Sequence, residues 1–276
     1  AAARAEPPGV SPPVEGDADD PDTPPPAPAP APPPPKGVHV RERVPLKDGM
    51  LRIPGGRFTL GSSDRTAPAN ERPARTAVVA PFWIDRTEVT VGRYRACVER
   101  GACPRPVRSS TLCTYDMGDP QLPVSCVPWS SAQAYCASVG KRLPREVEWE
   151  YAARGRGAIR YPWGGSASSC AAAVTLIHGN SQRSCAKKNR PSRVGTHPAG
   201  ASPFGVLDMS GNVEEWVEDW YAGTVSDLSP RAGASHVLRG GGWLSSPARS
   251  RTTSRNWGSV REAGPNVGFR CARDDV

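Results

Sequence analysis

Two serines near the carboxyl end of the chain are the first candidates for chemistry. Ser245 and Ser250 lie in the segment RGGGWLSSPARSRTTSR, residues 239–255. A serine hydroxyl acts as a nucleophile only when a neighbouring base takes its proton. His236 precedes this segment, but a catalytic triad is recognised by geometry rather than by sequence position. The sequence favours two polar loop residues over a serine nucleophile.

This segment and the two residues after it also combine tryptophan with arginine. Trp243 and Trp257 flank Arg249, Arg251 and Arg255. Aromatic and arginine side chains are common anchors of binding interfaces. If these rings are exposed, they form a cleft for a peptide, protein or glycan ligand. The alternative is core packing, because tryptophan beside glycine fills the interior of a loop-rich fold.

Cysteine usage indicates the compartment. The chain has eight cysteines, with no CxxC pair and no accompanying histidine cluster, so a zinc site has little support. An even number favours disulfides and an oxidising environment. The chain begins with Ala and has no stretch long enough to span a membrane, which is typical of a processed secretory or lipoprotein precursor. We expect an exported protein (periplasmic, cell-surface or secreted), with a lipid anchor as one option.

Composition divides the chain into two parts. Of the 32 prolines, 14 lie between Pro7 and Pro35, so residues 1–40 are expected to be a Pro/Ala-rich disordered tether, acting as a spacer or having no role of its own. Residues 41–276 are expected to form one domain. The net charge of +8 favours anionic partners, but the arginines are scattered and no nucleic-acid motif accompanies them. Nucleic acid is therefore not an expected partner, and a monomer is expected.

Short apolar segments and turn residues predict an irregular α+β domain. GGRFTLG and PFWIDRTEVT are typical of strands. TVGRYRACVERG predicts a helix that opens at Thr90 and stops at Gly101. WSSAQAYCASVGKRLP predicts a second helix, capped by Ser130 or Ser131, and LPREVEWEYAARG a third that ends at Gly155. Loops and short strands are expected after residue 156.

Several segments, in order, resemble one family across residues 50–273. They are GGRFTLGS, DRTEVTVGRYRACV, PVSCVPWSSAQAYCASVGKRLPREVEWEYAARG, YPWGG, VGTHPAGASPFGVLDMSGNVEEWVEDWY, HVLRGGGW and NVGFRCARD. The chain resembles the formylglycine-generating enzyme, or sulfatase-modifying factor, family. The resemblance implies a C-type-lectin-like fold with little regular secondary structure.

The best-known activity in this family depends on a cysteine pair that the chain lacks. The resemblance places Ser245 and Ser250 where the copper-dependent oxidases carry two cysteines after the RGG motif. Thiolates are the soft ligands that Cu(I) prefers, and a serine hydroxyl does not replace them. Copper is therefore not expected, and the chain is expected to be a non-oxidase. Residual formylglycine-generating activity and an enzyme of the periplasmic siderophore-maturation type remain alternatives.

The resemblance also implies a structural calcium site. The family's calcium loop aligns with FGVLDMSGNVEEWVEDWY, which places the ligands at Asp208, the carbonyls of Gly211 and Val213, and Glu215. Hard oxygen ligands from side chains and backbone suit Ca²⁺. Alternatively, Asp208 caps the turn and Glu215 pairs with an arginine.

A family disulfide aligns with Cys136 and Cys271. Cys97 and Cys103 are close enough in sequence for a local bridge, and two further loop bridges are then plausible, Cys113–Cys126 and Cys170–Cys185. Sequence alone does not fix this connectivity. Together these observations predict an exported, calcium-stabilised, disulfide-rich binding or accessory domain.

Overall fold

The computed structural model describes residues 42–165, 169–177, 180–186, 189–225 and 234–275. The predicted tether, the domain boundary at residue 40, and the histidines His39 and His178 lie outside these residues. Within the described part, the strands are β1 (Leu46–Lys47), β2 (Met50–Ile53), β3 (Gly56–Leu60), β4 (Arg75–Val79), β5 (Phe82–Asp85), β6 (Leu176–Ile177), β7 (Asn180–Ser184), β8 (Glu214–Trp220), β9 (Ser235–Arg239), β10 (Arg255–Ser259), β11 (Val267–Phe269) and β12 (Ala272–Asp274).

Three α-helices lie between β5 and β6. They are α1 (Val91–Glu99), α2 (Trp129–Ser138) and α3 (Glu146–Arg154). The predicted opening of α1 is confirmed, because the Thr90 side chain accepts a hydrogen bond from the Arg93 amide. None of the helices in the described ranges is long and apolar enough to cross a membrane.

The start of α2 differs from the sequence prediction, whereas the end of α3 agrees with it. The predicted cap of α2 at Ser130 or Ser131 is wrong, since the helix begins at Trp129 directly after Pro128 and its cap residue makes no side-chain hydrogen bond. Pro128 has extended backbone (φ −62°, ψ 156°), which the fixed φ of proline allows, and it carries no side-chain oxygen to act as a polar cap. The predicted end of α3 is correct: Gly155 follows it with a φ of 65°, a backbone conformation that favours glycine.

Two four-stranded sheets form the framework. The first has the order β1-β2-β5-β12, and the second β10-β9-β8-β11, in which only the β8–β11 pair is parallel. Two separate hairpins, β3–β4 and β6–β7, complete the described strands. One hydrophobic core lies around α3 and the first sheet, and another around α1, α2 and the second sheet. The irregular α+β expectation is confirmed.

Four disulfides join the loops and helices. All four predicted pairings are present: Cys97–Cys103, Cys113–Cys126, Cys136–Cys271 and Cys170–Cys185. All eight cysteines are described, and none is free. The Cys136–Cys271 bond ties α2 to the segment between β11 and β12, across 135 residues of chain.

Candidate functional site

The two serines are built into the loop that follows β9. Ser245 Oγ accepts hydrogen bonds from the Gly242 amide at 3.0 Å and from Asn266 Nδ2 at 3.3 Å. Ser250 is buried, and its hydroxyl donates to the Ser246 carbonyl at 3.3 Å. Both side chains therefore stabilise the backbone of this loop.

Glycine is required where this loop turns. Gly241 has a φ of 61°, and a Cβ there would lie 2.7 Å from both the Arg249 carbonyl oxygen and the Ser250 hydroxyl. No side chain fits such a distance without displacing its neighbours. The RGGG run therefore allows the loop to fold tightly against residues 249 and 250.

His236 is held away from both serines. Its ring is sandwiched between Trp129 and Trp220, with centroid distances of 3.7 and 3.8 Å, and its Nδ1 lies 3.2 Å from the Asp219 carbonyl. Burial lowers the pKa of the imidazole. Its Nε2 is buried and has no hydrogen-bond partner among the described residues. The hydroxyl-and-base arrangement considered from sequence is therefore not formed by His236.

A surface cleft of about 400 Å³ lies beside β10. It is lined by Pro68, Asn70, Glu71, Ala248, Arg249, Arg251, Ser254, Arg255, Asn256 and Trp257. Four of the five residues predicted for a binding cleft are therefore brought together. The prediction is wrong for the fifth residue, Trp243, which does not line the cleft. It is only 3% exposed, and its Nε1 donates to the Pro265 carbonyl at 3.2 Å, so it packs in the interior.

Two of the three cleft arginines are neutralised by buried carboxylates. Arg255 donates to both Glu146 oxygens, at 2.6 and 2.9 Å, and Arg251 donates to both Glu71 oxygens, at 3.0 and 2.7 Å. Such bidentate pairs fix position as well as charge. Arg249 is exposed and has no ion pair among the described residues. It is thus the one of the three without a close carboxylate partner, although its charge interacts with the buried carboxyl of Glu214.

Trp257 provides the exposed aromatic surface of the cleft. Its side chain is 51% exposed and stacks on Tyr221, with centroids 4.7 Å apart and planes inclined by 29°. Tyr221 is held in turn by Asn70, whose Nδ2 lies 3.1 Å from the phenolic oxygen, and by Arg255, whose guanidinium lies 5.2 Å from the ring centroid. The tryptophan therefore rests on a braced aromatic support.

A buried ion network in α3, β9 and β10 supports this cleft, and sequence reasoning missed it. Arg239 pairs with Glu150 at 2.5 Å and lies 3.4 Å from Glu146, while Arg154 reaches Glu150 at 2.7 Å. The four-residue spacing of Glu146 and Glu150 places both carboxylates on one face of α3. That spacing was the available signal, but it did not identify their arginine partners.

The predicted calcium ligands lie in a buried acidic region. Asp208 has a φ of 61°, an uncommon backbone conformation for a residue with a side chain, and its Oδ2 accepts from the Gly195 amide at 2.6 Å. Glu215 accepts from Arg270 at 2.7 Å through both oxygens and from Trp149 Nε1 at 2.9 Å. Part of the alternative considered from sequence, an arginine pairing with Glu215, is therefore present.

Glu88 is a further acidic group in this region that sequence reasoning missed. Asn212 Nδ2 donates to its Oε1 at 3.0 Å, whereas its buried Oε2 has no partner among the described residues. Burial, together with the charges of Asp208 and Glu215, raises the pKa of Glu88 well above its usual value, and Arg270 opposes this shift.

The excess of carboxylates in the acidic region favours binding of a hard cation. Glu88, Asp208 and Glu215 supply three carboxylates against the one guanidinium of Arg270, and one carboxylate oxygen is unpartnered. In the described ranges, no group of three or more His, Cys, Asp or Glu side chains could hold a metal ion. A cation here would also need backbone oxygens, such as the carbonyls of Gly211 and Val213 that the resemblance implies, and the calcium site stays a prediction.

Comparisons with known proteins identify the family of this domain. The family model for the sulfatase-modifying factor enzyme 1-like domain matches residues 36–275. The formylglycine-generating enzyme of Streptomyces coelicolor is 32% identical, over 82% of this chain and 89% of that protein. The inactive C-alpha-formylglycine-generating enzyme 2 of Bos taurus is 30% identical, over 81% of this chain and 87% of that protein.

A solved structure extends the comparison to three dimensions. PvdO from Pseudomonas aeruginosa superposes with a TM-score of 0.69 and 29% identity, over 82% of this chain and 94% of that one. The match covers the domain that carries both the cleft and the buried acidic region. The chain belongs to the formylglycine-generating enzyme family, whose sulfatase-modifying factor domain it contains.

Proposed function

We propose that this protein is a non-oxidase member of its family, an exported and calcium-stabilised binding or accessory domain. One observation carries the proposal: Ser245 and Ser250 stand where the family resemblance places the copper-binding cysteines. All eight cysteines of the chain are paired in disulfides, so no other thiolate is free to replace them. The similarity to a protein named as inactive supports this proposal.

The hydrogen bonds of the serines give the proposal a physical basis. Cu(I) is bound by soft, anionic sulfur, whereas Ser245 Oγ is engaged by Gly242 and Asn266, and the Ser250 hydroxyl by Ser246. The loop uses these oxygens for its own stability. The retained cleft, with exposed Trp257 and Arg249, is then the surface at which a peptide, protein or glycan ligand binds.

Copper binding and thiol content test this proposal together. The native protein is expected to show no reactive thiol and no tight Cu(I) binding, and the Ser245→Cys/Ser250→Cys double variant serves as the matched comparison. Tight one-to-one Cu(I) binding by the unaltered protein, with conversion of a CxPxR peptide to an aldehyde, overturns the proposal.

Calcium belongs to the proposal as a structural ion. Asp208, the carbonyls of Gly211 and Val213, and Glu215 would hold it, with Glu88 as an additional ligand. When bound, the ion supplies positive charge that cross-links the loop to the segment after β5. Glu215 would share its oxygens between the ion and Arg270, whose guanidinium keeps this carboxylate in place.

Export is supported by the disulfides, since four such bonds are typical of an oxidising compartment. We infer a periplasmic, cell-surface or secreted monomer, with a lipid anchor as an option. Fractionation of the native host, with thiol trapping before lysis, tests this placement. Recovery of the protein in the cytoplasm with reduced cysteines contradicts it.

A second candidate is an enzyme of different chemistry in the same cleft, of the siderophore-maturation type. The cleft volume of about 400 Å³ favours this option, because it lies in the range of small-molecule sites. Catalysis requires turnover: incubation with a metabolite extract should consume one compound and form another. A Trp257→Ala variant should lose that conversion, and binding without conversion excludes this candidate.

A further inference from the structure

We propose that the cleft beside Trp257 binds an acidic saccharide, a pyranose ring that carries one carboxylate and is linked to a neutral sugar. This inference deepens the proposed binding function and rests on it. Three features of the cleft carry it: an exposed flat ring, hydrogen-bond acceptors at its edge, and one exposed arginine without an ion pair among the described residues. An adjoining polar cavity extends it to a second sugar.

The flat ring is the indole of Trp257. A pyranose has one face made largely of C–H groups, which packs on an aromatic ring and so buries apolar area without burying its hydroxyls. Trp257 is suited to this contact because it is 51% exposed and its other side is supported by Tyr221. The support limits the side-chain entropy that binding would remove.

Two amides beside this ring provide acceptors for hydroxyl groups. Asn70 uses its Nδ2 on Tyr221 and on the Arg255 carbonyl, and Asn256 uses its Nδ2 on Glu214 at 3.1 Å. Neither Oδ1 accepts a hydrogen bond from the described residues. Because their nitrogens are engaged, the two oxygens are fixed in direction. Sugar hydroxyls are donors that match them.

The charge of the cleft indicates a single acidic group on the ligand. Arg251 and Arg255 are neutralised by Glu71 and Glu146, which leaves Arg249 as the available cation. One guanidinium matches one carboxylate through paired hydrogen bonds. A polyanion such as nucleic acid gains its affinity from several cations along its backbone, which this cleft does not offer.

A second cavity, of about 210 Å³, adjoins the cleft at Arg251, which lines both. Its lining includes Ser62, Ser63, Thr253 and two oppositely charged side chains that interact with each other, Asp64 and Arg160. Arg154 also lines it, and this buried side chain has an Nε without a partner among the described residues. Hydroxyl groups of a neutral sugar could pair with these donors and acceptors, and the opposite charges of Asp64 and Arg160 offset each other, so this cavity offers no further net charge to the ligand.

An extended peptide matches the cleft less well. Peptides commonly bind such a surface by adding a strand to a sheet edge, and β10 is the edge strand here because it pairs only with β9. However, the Arg255 carbonyl at the start of β10 already accepts from Asn70 at 3.2 Å. The first carbonyl of β10 is therefore already engaged, so the strand edge is not fully available for pairing with a peptide. The cleft instead presents side-chain groups around the Trp257 ring.

The test is calorimetric titration with aldobiouronic acids, which are disaccharides of glucuronic acid and a neutral hexose, in several linkages. Each is paired with its neutral disaccharide, such as cellobiouronic acid with cellobiose. The proteins are the full chain, its Trp257→Ala and Arg249→Gln variants, and Arg100→Gln, an exposed arginine at the end of α1, as the control. Near-ultraviolet circular dichroism verifies that each variant is folded.

We expect at least one acid to bind more tightly than its neutral partner. Trp257→Ala should weaken binding at least tenfold, Arg249→Gln should abolish the preference for the acid, and Arg100→Gln should change neither. Absence of millimolar binding for every acid, or equal binding by all four proteins, overturns the inference. Binding of acidic peptides that depends on Trp257 and Arg249, without saccharide binding, also overturns it while preserving the proposed binding function. Copper-dependent aldehyde formation contradicts the proposed function alone.

Discussion

Arg255 and Glu146 form a buried bidentate pair that joins the cleft to α3. Arg255 Nε and Nη2 donate to the two carboxylate oxygens at 2.6 and 2.9 Å, and both side chains are fully buried. The same arginine contacts Tyr221, on which Trp257 stacks. The shape of the cleft therefore depends on a helix formed about 100 residues earlier in the chain.

Loss of this pair should be costly. Arg255→Met leaves the Glu146 carboxylate buried with fewer partners, which is expected to lower the free energy of unfolding by roughly 3–5 kcal/mol. The exposed pair Arg156–Glu42 provides the control, because Arg156→Met should cost about 1 kcal/mol or less. Urea denaturation measures both. Equal stabilities of the two variants would contradict the role of Arg255.

Calcium removal should lower thermal stability. In EGTA, Glu88, Asp208 and Glu215 lose the cation that would offset their charges together with Arg270, so the melting temperature should fall by several degrees and recover with added Ca²⁺. Glu88→Gln should raise the melting temperature in EGTA at neutral pH, because the raised pKa of Glu88 makes its burial costly there, and should weaken the response to Ca²⁺. An unchanged melting curve in EGTA is strong evidence against the calcium proposal.

Asp219 should make stability depend on pH. Burial, and then the Glu146 and Glu218 charges, raise the pKa of this carboxyl to about 7 in the folded protein. The folded state therefore binds more protons than the unfolded state between about pH 4 and 7, and this group lowers stability as pH rises through that window.

The Asp219→Asn variant isolates this contribution. It keeps an oxygen that can accept from the Glu146 amide, so its stability relative to the unaltered protein should rise by about 3 kcal/mol between pH 4 and pH 8. Glu99→Gln, an exposed change at the end of α1, controls for net charge. A stability difference that does not vary with pH would exclude this assignment.

The long-range disulfide should matter more than the local one. Cys136–Cys271 closes 135 residues of chain, whereas Cys97–Cys103 closes only 6. In the chain-entropy account a bond stabilises more when it closes a longer loop, with losses of roughly 2–5 kcal/mol. The Cys136→Ala/Cys271→Ala variant should therefore unfold at lower urea than Cys97→Ala/Cys103→Ala. The reverse order would show that local strain or packing dominates.

Local signals in the sequence predicted local features well. Thr90 before α1 and Gly155 after α3 act through the backbone of adjacent residues, so their roles can be inferred without tertiary information. The family resemblance then supplied the Cys136–Cys271 pairing and the alignment of the serine loop. The features that could be predicted thus depend either on residues adjacent in sequence or on the family scaffold.

The remaining features depend on contacts between distant residues. Trp243 and Trp257 have similar glycine-rich and arginine-rich surroundings, yet Trp243 packs in the interior while Trp257 lies on β10, at the sheet edge. Glu88 lies in DRTEVT, which gives no sign that it meets Asn212, 124 residues later. Likewise, the sequence does not distinguish the three arginines of the cleft, because the ion pairs of Arg251 with Glu71 and of Arg255 with Glu146 form between distant parts of the chain.

We propose that the replacement of both cysteines by Ser245 and Ser250 removes the copper chemistry while the scaffold is retained. The most direct measurement is the formation of aldehyde from a CxPxR peptide with Cu(I) and oxygen, followed by mass spectrometry. We expect an unchanged peptide and no stoichiometric copper binding for the native protein. Aldehyde formation at catalytic turnover, with one tightly bound Cu(I) per chain, would contradict it.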